Sequence, residues 1–521
     1  MKRFIIILVL FALVFTSCDS DVSDDRANDR QINKLTIGAY ITGDRNPLAI
    51  TSNFNEPANL LIYDSLYTLN EKLEPFSNLA QDMTIENDGR DVTITLKPNV
   101  FFHDGSQLTA HDVQATISFI RTNGGYYAYN VHSIENATIM NNYTIKLRLS
   151  SAQYAPNIKM QLTFPIVCRK NLLSSGRDDS NFELNGTGAY KISSETKGKE
   201  IILVRNPDYH ETFGSKIKEI KISLIPDKMT TNSLSSSGIL DVFYAPFYDD
   251  GLKTITKTET KRTDYITDEY TFIKLSDENS LLSIKQLRKA ISFAIDREKI
   301  THDIYISHAA EAYFPLIPAS WAYNRNTELK RDITSAKKLM DELAWYDTDN
   351  DGIAEATDYE GVEKPLKFSM LTSDVPTKQS LSEILVANLK ELGITLEVTV
   401  VSVEEFKNQY SNGNYDMYLV TTNVGYDLDL HEFLHEEGRF YYPTEIDFVS
   451  YQQKLASTDK NEQKLPVYAK ICDDFYENMP HIPILFLKNT MLTSNKLTDI
   501  PDIYPIDLYY NLLRSDNNGK N

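Results

Sequence analysis

The segment FFHDGSQLTAHDV, residues 101–113, brings together the residue types of a Ser/His/Asp hydrolase. It contains His103, Asp104, Ser106, His111 and Asp112. Such a catalytic set needs three groups that converge on one nucleophile, and chains usually assemble them from distant segments. The sequence has no G-x-S-x-G run to expose a serine. We therefore predict that this segment is not catalytic.

The same residue types have structural roles at this spacing. Asp104-Gly105 is a turn pair. Thr109 and Asp112 have the spacing of a capping box, in which the Thr109 hydroxyl accepts an amide bond and the Asp112 carboxylate reaches back. Val113, Ile117 and Ile120 then recur at helical spacing. A turn followed by a capped helix is the prediction for these residues.

Strands and helices are mixed along the chain. Val92, Ile94 and Leu96 alternate with polar residues after the turn Asn87-Asp88-Gly89, which predicts a half-buried strand. Helical stripes follow at Leu287, Ala290, Ile291, Ala294 and Ile295, and at Leu381, Ile384, Leu385, Leu389 and Leu392. Gly393 ends the second helix, and Ile394, Leu396, Val398 and Val400 alternate as a strand. An α/β fold is indicated.

The N-terminus has the form of an export signal. Lys2 and Arg3 precede the apolar run 4–15, which is shorter than the roughly 20 residues that span a bilayer. Phe15-Thr16-Ser17-Cys18 resembles a bacterial lipobox, so residues 1–17 are the predicted signal peptide and Cys18 the predicted lipidation site. The alternative is an incidental cysteine beside an ordinary cleavage site. Residues 18–33 are polar and form a predicted flexible tether.

Composition limits the function further. Apolar residues make up 41% of the 521-residue chain and charged residues 24%, which is typical of folded soluble protein. The formal charge is −20 and no cluster of Lys and Arg occurs, so nucleic acid is not an expected partner. Cys168 and Cys472 are expected to be buried free thiols, with a single disulfide as the alternative. No cysteine spacing suits a metal.

Seven segments together resemble the extracytoplasmic substrate-binding proteins of peptide- and nickel-type ABC importers (solute-binding protein family 5). They occur in family order over residues 35 to 513. The segments are YDSLYTLNEKLEPFSNLAQDMTI (63–85), TITLKPNVFFHDGSQLTAHDV (93–113), NGTGAYKI (185–192), VRNPDYH (204–210), LRKAISFAIDREKI (287–300), AKKLMDELAWYDTDNDGI (336–353) and NYDMYLVTT (414–422). Gly186 and Gly188 are expected to permit backbone turns that a side chain would block.

The resemblance implies a two-lobed, periplasmic-binding-protein-like α/β fold with an extra subdomain on lobe one and a two-strand hinge. The implied base of lobe one comprises residues 34–66, 168–270 and 487–513, its inserted subdomain 67–167, and lobe two 271–486. Residues 514–521 form a tail. The hinge strands would lie near 270–275 and 482–487, and closure on a solute would present the protein to a membrane permease. We expect a monomer that is not an enzyme.

The resemblance also implies where the ligand binds. Peptide binders of the family hold the ligand's amino terminus with the aspartate of a G-W-x-x-D-Y motif, and here Thr422 and Gly425 stand in place of its Trp and Asp. Asp427 or Asp429 is the predicted replacement for the carboxylate. The implied cleft residues are Asn53, Phe54, Asn55, Glu56, Tyr126, Tyr127, Thr421, Thr422, Asn423, Tyr426, Asp427, Asp429 and Phe486. Core packing is the alternative for each aromatic residue.

An acidic loop has the oxygen spacing of an EF-hand. Its candidate calcium ligands are Asp347, Asp349, Asp351, Ile353 through its carbonyl, Glu355 and Asp358, with Gly352 at the sharp turn. The last ligand is Asp instead of the usual Glu, and no second EF-type helix follows. A solvated acidic turn is the alternative, and no cofactor is required.

Three functions remain open at this point. The first is a lipid-anchored protein that captures a peptide-like solute and delivers it to an ABC permease, outside the cell membrane or in the periplasm. The second is a surface receptor for a peptide signal, and the third a binding protein for another solute, such as a metal chelate or a sugar. A lipid-anchored hydrolase is disfavoured, since Cys168 and Cys472 lie in the apolar contexts FPIVC and AKICDDF.

Overall fold

The computed structural model describes residues 33–40, 45–49, 57–175, 182–212, 214–225, 239–245, 260–323, 329–357, 361–458, 460–495, 497 and 503–514. The predicted signal peptide 1–17, Cys18 and most of the tether lie outside the described residues, as do Asn53 to Glu56 and Asp358. Within the described ranges, no helix has both the length and the apolar character needed to cross a membrane.

Strands are distributed over the whole described chain. They are β1 Lys34–Tyr40, β2 Tyr67–Leu69, β3 Pro75–Ser77, β4 Ala80–Glu86, β5 Asp91–Leu96, β6 Ile134–Asn141, β7 Thr144–Leu149, β8 Tyr190–Thr196, β9 Glu200–Arg205, β10 Glu219–Ile225, β11 Val242–Ala245, β12 Thr260–Leu275, β13 Ala309–Glu311, β14 Glu355–Thr357, β15 Glu363–Pro365, β16 Lys367–Ser373, β17 Thr395–Val401, β18 Met417–Asn423 and β19 Ile482–Ser494.

Helices fill the intervals between the strands. The α-helices are Pro57–Ile62, Ala110–Asn123, Ile158–Gln161, Arg169–Ser175, Lys285–Ala294, Arg297–Lys299, Ile333–Glu342, Pro376–Lys390, Val403–Tyr410, His431–Leu434, Phe448–Ala456, Asn461–Asn478 and Tyr510–Arg514. Short 3-10 helices occur at Asn87–Gly89, Tyr126–Val131 and Ala152–Asn157, and a π-helical turn at Ile300–Ile304.

One large sheet runs through both halves of the described chain. Its strand order is β17-β16-β18-β12-β19-β11-β1-β10-β9-β8, and β13 pairs with β19 at the side. We call the half with β11, β1, β10, β9 and β8 lobe one, and the half with β18, β16 and β17 lobe two. Within this sheet, the long antiparallel pair β12 and β19 connects the strands of lobe one to those of lobe two. These strands include the segments predicted as the hinge.

The pairing of β12 with β19 is interrupted in its middle. Ile266 pairs with Lys488 and Tyr270 with Phe486, so three residues of β12 face one residue of β19. Such a bulge bends the strand and re-aims its side chains. Asp268, at the centre of the bulge, reaches the space between the lobes. The irregularity lies just before the predicted hinge segment 270–275.

A separate four-stranded antiparallel sheet, β4-β5-β7-β6, lies within the range predicted as the inserted subdomain. The helix Ala110–Asn123 packs near it and begins with the predicted capping box, since the backbone N–H of Thr109 donates to Asp112 Oδ2 at 2.9 Å. His103 Nε2 contacts the Gly188 carbonyl at 3.0 Å, and Ser106 bonds to Asp104. The segment 101–113 is therefore a turn and a cap, as predicted.

Local predictions in lobe two are also confirmed. The predicted stripes fall in the helices Lys285–Ala294 and Pro376–Lys390, and the alternating run after Gly393 forms β17. Gly393 has φ +73°, which suits glycine after a helix.

Cys168 and Cys472 are both buried free thiols.

Gly186 and Gly188 lie where a side chain would be blocked, as predicted. Neither is needed for a positive φ. A Cβ on Gly186 would lie 2.0 Å from the carbonyl oxygen of Ile62, and one on Gly188 would lie 2.5 Å from that of Leu61. The segment 185–188 thus packs backbone to backbone against the end of helix Pro57–Ile62, one wall of the interlobe space.

Candidate functional site

A cavity of about 370 Å³ lies between the two lobes. Lobe one and its four-stranded subdomain contribute helix Pro57–Ile62 with the following loop, and the 3-10 helix Tyr126–Val131. Lobe two contributes the segment that follows β18 and the turn around Arg439 and Phe440, and the bulge of β12 supplies Asp268. Because both lobes form its wall, the cavity exists only when they are closed on each other.

Polar contacts hold the lobes in this closed arrangement. Nε2 of Gln161 donates to Asp427 at 3.1 Å, and the Tyr129 hydroxyl donates to Asp429 at 3.0 Å. The Lys464 ammonium of lobe two also donates to the Pro156 carbonyl at 2.7 Å. Of the residues in these contacts, Tyr129, Asp427 and Asp429 also line the cavity.

The structure brings most of the predicted cleft residues together. Those that line the cavity are Tyr126, Tyr127, Thr422, Asn423, Tyr426, Asp427 and Asp429. Asn53, Phe54, Asn55 and Glu56 fall outside the described residues. The predicted cleft role of these residues rests on position alone, and their contribution to binding stays a prediction.

Two predicted residues do not line the cavity. Phe486 is fully buried, and its ring packs 4.9 Å from that of Tyr270 in the lobe-two core. The Thr421 hydroxyl bonds to that of Thr271 on the neighbouring strand at 2.9 Å. Successive strand residues face opposite sides of a sheet, so closeness in sequence to a cleft strand does not ensure access to the cleft. Core packing, the stated alternative, holds for Phe486.

Gly425 and Asp427 occupy one corner of the cavity. Gly425 has φ +74°, and a Cβ built on it would lie 3.3 Å from Oδ1 of Asp427. The Asp427 carboxylate therefore stands directly beside the position where a side chain at residue 425 would begin. Of the two carboxylates predicted to replace the motif's aspartate, that of Asp427 is the one with an atom within 4 Å of this position. Its role as the replacement stays a prediction.

Burial disfavours the ionised form of the carboxyl groups in and near this corner of the cavity. It raises the pKa of Asp427 to about 7, with the neighbouring Asp429 as the next cause, while the bond from Gln161 acts in the opposite direction. Burial also raises the pKa of Asp268, against a 2.9 Å bond from the Asn423 amide, and that of Glu269 to about 7. A cation placed here would favour the ionised carboxylates.

The described cavity lining is strongly acidic. Its carboxylates are Asp64, Asp268, Asp427, Asp429, Glu432 and Asp507, whereas Arg439 is the one Lys or Arg among the described lining residues. Arg439 Nε is paired with Glu432 Oε2 at 2.7 Å. Asp64 is held by the Thr187 hydroxyl at 3.0 Å and by the imidazole of His210 at 3.3 Å. Asp268, Asp427 and Asp429 form no ion pair with a Lys, Arg or His among the described residues, and burial raises the pKa of Asp268 and of Asp427.

The acidic loop lies away from this cavity and is exposed. Asp347, Asp349, Asp351 and Glu355 each offer a carboxylate oxygen within 4.8 Å of the others. Amides of the loop already donate to them, for example Gly352 to Asp347 at 2.9 Å and Ile353 to Asp351 at 2.8 Å. Calcium binding stays a prediction, which the melting temperature in millimolar calcium against chelator would decide.

Sequence reasoning missed a second group of metal-ligating residues. The run His431-Glu432-Phe433-Leu434-His435 has H-E-x-x-H spacing, which is a signal for a metal site. It directly follows the predicted Asp427 and Asp429. His431 and His435 lie together with Glu437, next in sequence to the cavity-lining residues Asp429, Glu432 and Phe433.

Comparisons with known proteins agree with the two-lobed fold described above. Residues 74–436 match the model for bacterial extracellular solute-binding proteins, family 5. The chain is 23% identical to the oligopeptide-binding protein AppA of Bacillus subtilis (strain 168), over 97% of each chain. The structure of that AppA in complex with a nonapeptide superposes with a TM-score of 0.63 and 22% identity, covering 93% of this chain and 98% of AppA.

A second solved structure of the same fold comes from a protein with a metal-containing ligand. NikZ from Campylobacter jejuni in complex with Ni(L-His) has a TM-score of 0.63 and 22% identity, covering 92% of this chain and 99% of NikZ. At this level of identity these likenesses establish the two-lobed fold. They leave the ligand to be inferred from the cavity itself.

Proposed function

The chain belongs to the bacterial extracellular solute-binding proteins of family 5, and from this membership we propose that it captures a peptide-like solute between its lobes and delivers it to the permease of an ABC importer. It is a binding protein and not an enzyme. The proposal is supported by one observation above all: an interlobe cavity whose wall concentrates carboxylates around Asp427.

Closure supplies the mechanism. A solute that contacts both lobes is fully bound only in the closed state, and this difference in affinity shifts the population toward closure. The β12 bulge, and the second register shift between Thr271 and Phe272, provide a place where the lobes can bend. The permease then distinguishes the loaded from the empty protein by its closed form.

The solute's amino terminus is proposed to bind at Asp427. An ammonium group beside Asp427, Asp429 and Asp268 would compensate carboxylates that burial otherwise disfavours. It would also replace Gln161 as the polar partner of Asp427 in the closed state. The aromatic wall formed by Tyr126, Tyr127 and Tyr426 offers apolar surface with hydroxyl groups for the rest of the solute.

A metal chelate is the second candidate solute, because the related NikZ structure holds Ni(L-His). The charge of the cavity discriminates between chelates. A chelate with a net negative charge would meet several carboxylates and a guanidinium already paired to Glu432, which disfavours it. A neutral or cationic complex is compatible with this wall. A receptor that reports a peptide signal would use the same cavity, and the presence of permease and ATPase genes beside its own would argue for import.

Titration calorimetry tests the solute class. Mixed di- to hexapeptides are titrated into the mature protein, with N-acetylated versions of the same peptides as the ligand control. Free amino termini should bind, and acetylation or Asp427→Asn should weaken binding at least tenfold, since either change removes one charge of a buried pair. Asp374→Asn, which changes an exposed carboxylate in lobe two, is the matched control and should bind as the wild type does.

Two results would contradict the proposal. Equal affinity for acetylated and free peptides would show that Asp427 does not bind the amino terminus of the peptide. If no peptide binds, the solute is not a peptide. Native mass spectrometry of freshly purified protein would identify a co-purified solute in either case. A solute recovered in cleaved form would contradict the assignment as a binding protein.

The lipid anchor is a separate part of the proposal. Acylation of Cys18 would hold the protein at the outer face of the membrane, with about 0.8 kcal/mol per buried methylene. Labelled palmitate should be incorporated into the wild type and into Cys168→Ala, whose thiol is buried. Incorporation should be lost in Cys18→Ala, and label retained in that variant would exclude this anchor.

A further inference from the structure

Lobe two carries a cluster of metal-ligating side chains whose neighbours in sequence, Asp429 and Glu432, line the cavity. His431 and His435 lie one helical turn apart, and their ring centroids are 4.2 Å from each other. One donor atom from each of these imidazoles and one carboxylate oxygen of Glu437 lie within 4.8 Å of one another. Two imidazoles and a carboxylate form a ligand set that proteins use for zinc and similar ions.

The backbone is folded so that Glu437 stays near the two imidazoles. The amide of Gly438 donates to the His435 carbonyl at 2.8 Å, and the amide of Phe440 donates to that of Glu432 at 2.9 Å. A Cβ on Gly438 would lie 2.4 Å from the carbonyl oxygen of His431. Only glycine at residue 438 lets the backbone after His435 pack this closely against the helix His431–Leu434.

One imidazole has a nitrogen that lacks a partner. Nδ1 of His431 is buried, and among the described residues it has no hydrogen bond. A buried polar atom without a partner costs about 1–3 kcal/mol. Coordination of an ion by this nitrogen would supply the missing partner. The Glu437 carboxylate is exposed and forms no ion pair with the described residues, so it is available as a ligand.

The H-E-x-x-H spacing does not make this segment a metallopeptidase site. In such enzymes the Glu of the motif acts as a general base on a longer helix. Here the helix has four residues, and Glu432 is engaged by Arg439 through its side chain at 2.7 Å and its backbone amide at 3.3 Å. The arrangement offers ligands for an ion and no free base beside them.

We propose that His431, His435 and Glu437 bind one divalent transition-metal ion at the rim of the interlobe cavity. Mixed imidazole and carboxylate ligands favour Zn²⁺, Ni²⁺ or Cu²⁺ over Ca²⁺ and Mg²⁺. Ligand atoms of a tetrahedral zinc site lie about 3.3 Å apart. The donors, which lie within 4.8 Å of one another, must therefore adjust their positions, and the nearly parallel rings must turn. The neighbouring Asp429 and Glu432 add negative potential that favours a cation.

The position of the site gives it a relation to the solute. Asp429 and Glu432 both line the cavity, and they lie within a few residues of His431 in sequence. Three protein ligands leave a fourth position for water or for a donor atom of the bound solute. The proposal does not depend on the solute being a peptide, because the three ligands all belong to lobe two.

Calorimetry on the tag-free mature protein, stripped with EDTA, provides the test. ZnCl₂ and NiCl₂ are titrated in metal-free buffer, and the bound metal is counted by mass spectrometry. We expect about one equivalent in the wild type, with at least tenfold weaker binding in His435→Ala and in Glu437→Gln. Glu436→Gln alters the adjacent exposed carboxylate and should bind as the wild type does. Asp349→Asn should also leave this affinity unchanged, which separates the site from the acidic loop.

Electron paramagnetic resonance of the Cu²⁺-loaded wild type keeps the test independent of whether the variants fold. Hyperfine coupling to two imidazole nitrogens is expected, and oxygen-only coordination would overturn the proposal. So would the absence of stoichiometric metal, or affinity that His435→Ala leaves unchanged in a folded protein. Peptide titrations in EDTA should be the same for His435→Ala and the wild type, so failure of the metal site and failure of the proposed function are distinguishable.

Discussion

A hydrogen bond joins Gln161 of lobe one to Asp427 of lobe two, with Nε2 of Gln161 donating to Oδ2 of Asp427 at 3.1 Å. The two residues are 266 positions apart and both are buried. Oε1 of Gln161 in turn accepts the Ser133 hydroxyl at 2.7 Å. Lobe one thereby supplies a neutral donor to the carboxylate that the proposed ammonium would contact.

Loss of this bond should open the empty protein. We expect Gln161→Leu to shift the unliganded population toward the open form, because a hydrogen bond to a charged group contributes about 1.5–3 kcal/mol. Ser133→Ala removes the second bond of Gln161 and leaves Asp427 untouched, so it serves as the control. Small-angle scattering should show a larger radius of gyration for Gln161→Leu alone. Identical curves for the three proteins would show that this bond does not hold the lobes together.

Stability should depend on pH through Asp427. Its pKa is raised to about 7 in the folded chain from an ordinary 3.8, so the folded state holds an extra proton between these values and stability is lost as pH rises through them. Asp427→Asn cannot ionise, and we expect it to raise the melting temperature by about 2 °C or more at pH 8.

The gain should shrink as pH falls and disappear near pH 3, where the carboxyl group is largely protonated in both states. Asp374→Asn should follow the wild type over the whole range, because that carboxylate is exposed. A pH-independent difference between Asp427→Asn and the wild type would contradict the proposed burial of this charge.

Replacing Gly425 by alanine should weaken solute binding. Gly425→Ala and Gly413→Ala both place a Cβ at positive φ, +74° and +66°, which costs about 1 kcal/mol each. The alanine at residue 413 has nothing within 4 Å, whereas the one at residue 425 meets Asp427 at 3.3 Å. Urea unfolding should show similar losses for both, and only Gly425→Ala should weaken solute binding. Equal affinities would place the solute elsewhere in the cavity.

His481 should make the closed core sensitive to acid. Burial lowers the pKa of His481 to about 3, and its Nε2 lies 2.9 Å from the Tyr270 hydroxyl in the lobe-two core. The unfolded chain takes up this proton near pH 6.5, so folded stability falls as pH drops below that value, by about 1.4 kcal/mol per unit for one group.

His481→Gln removes the titrating group and should reduce this slope in urea unfolding between pH 6.5 and 4.5. His302→Gln, which changes an exposed imidazole, should keep the slope of the wild type. If both variants show the same slope as the wild type, His481 is not the residue that carries this acid sensitivity.

Local spacing in the sequence was sufficient for much of the structure. The Thr109 and Asp112 capping box, the strand that contains Val92 and the helix that ends before Gly393 each follow from neighbours within a few positions, because those contacts form inside one element. Each of these predictions depends on interactions that the chain makes over one or two turns.

Tertiary structure decided which of the candidate side chains reach the cavity. Phe486 was predicted from its nearness to a hinge strand, but the face of the sheet on which it lies is covered by the lobe-two core. Asp268 reaches the cavity through a bulge between β12 and β19, and bulges have no reliable local signal. The run from His431 to His435 was visible in the sequence, whereas the return of the chain that brings Glu437 to it depends on the backbone packing of Gly438.

The sequence by itself thus determined the family and the order of elements. The tertiary structure decided which buried carboxylates lie together at the cavity. Asp268 comes from β12, Asp427 and Asp429 come from the segment after β18, and Gln161, which donates to Asp427, comes from the other lobe. The physical reason is that pKa, burial and partner choice depend on distances between groups far apart in the chain. Those distances are fixed only when the lobes close.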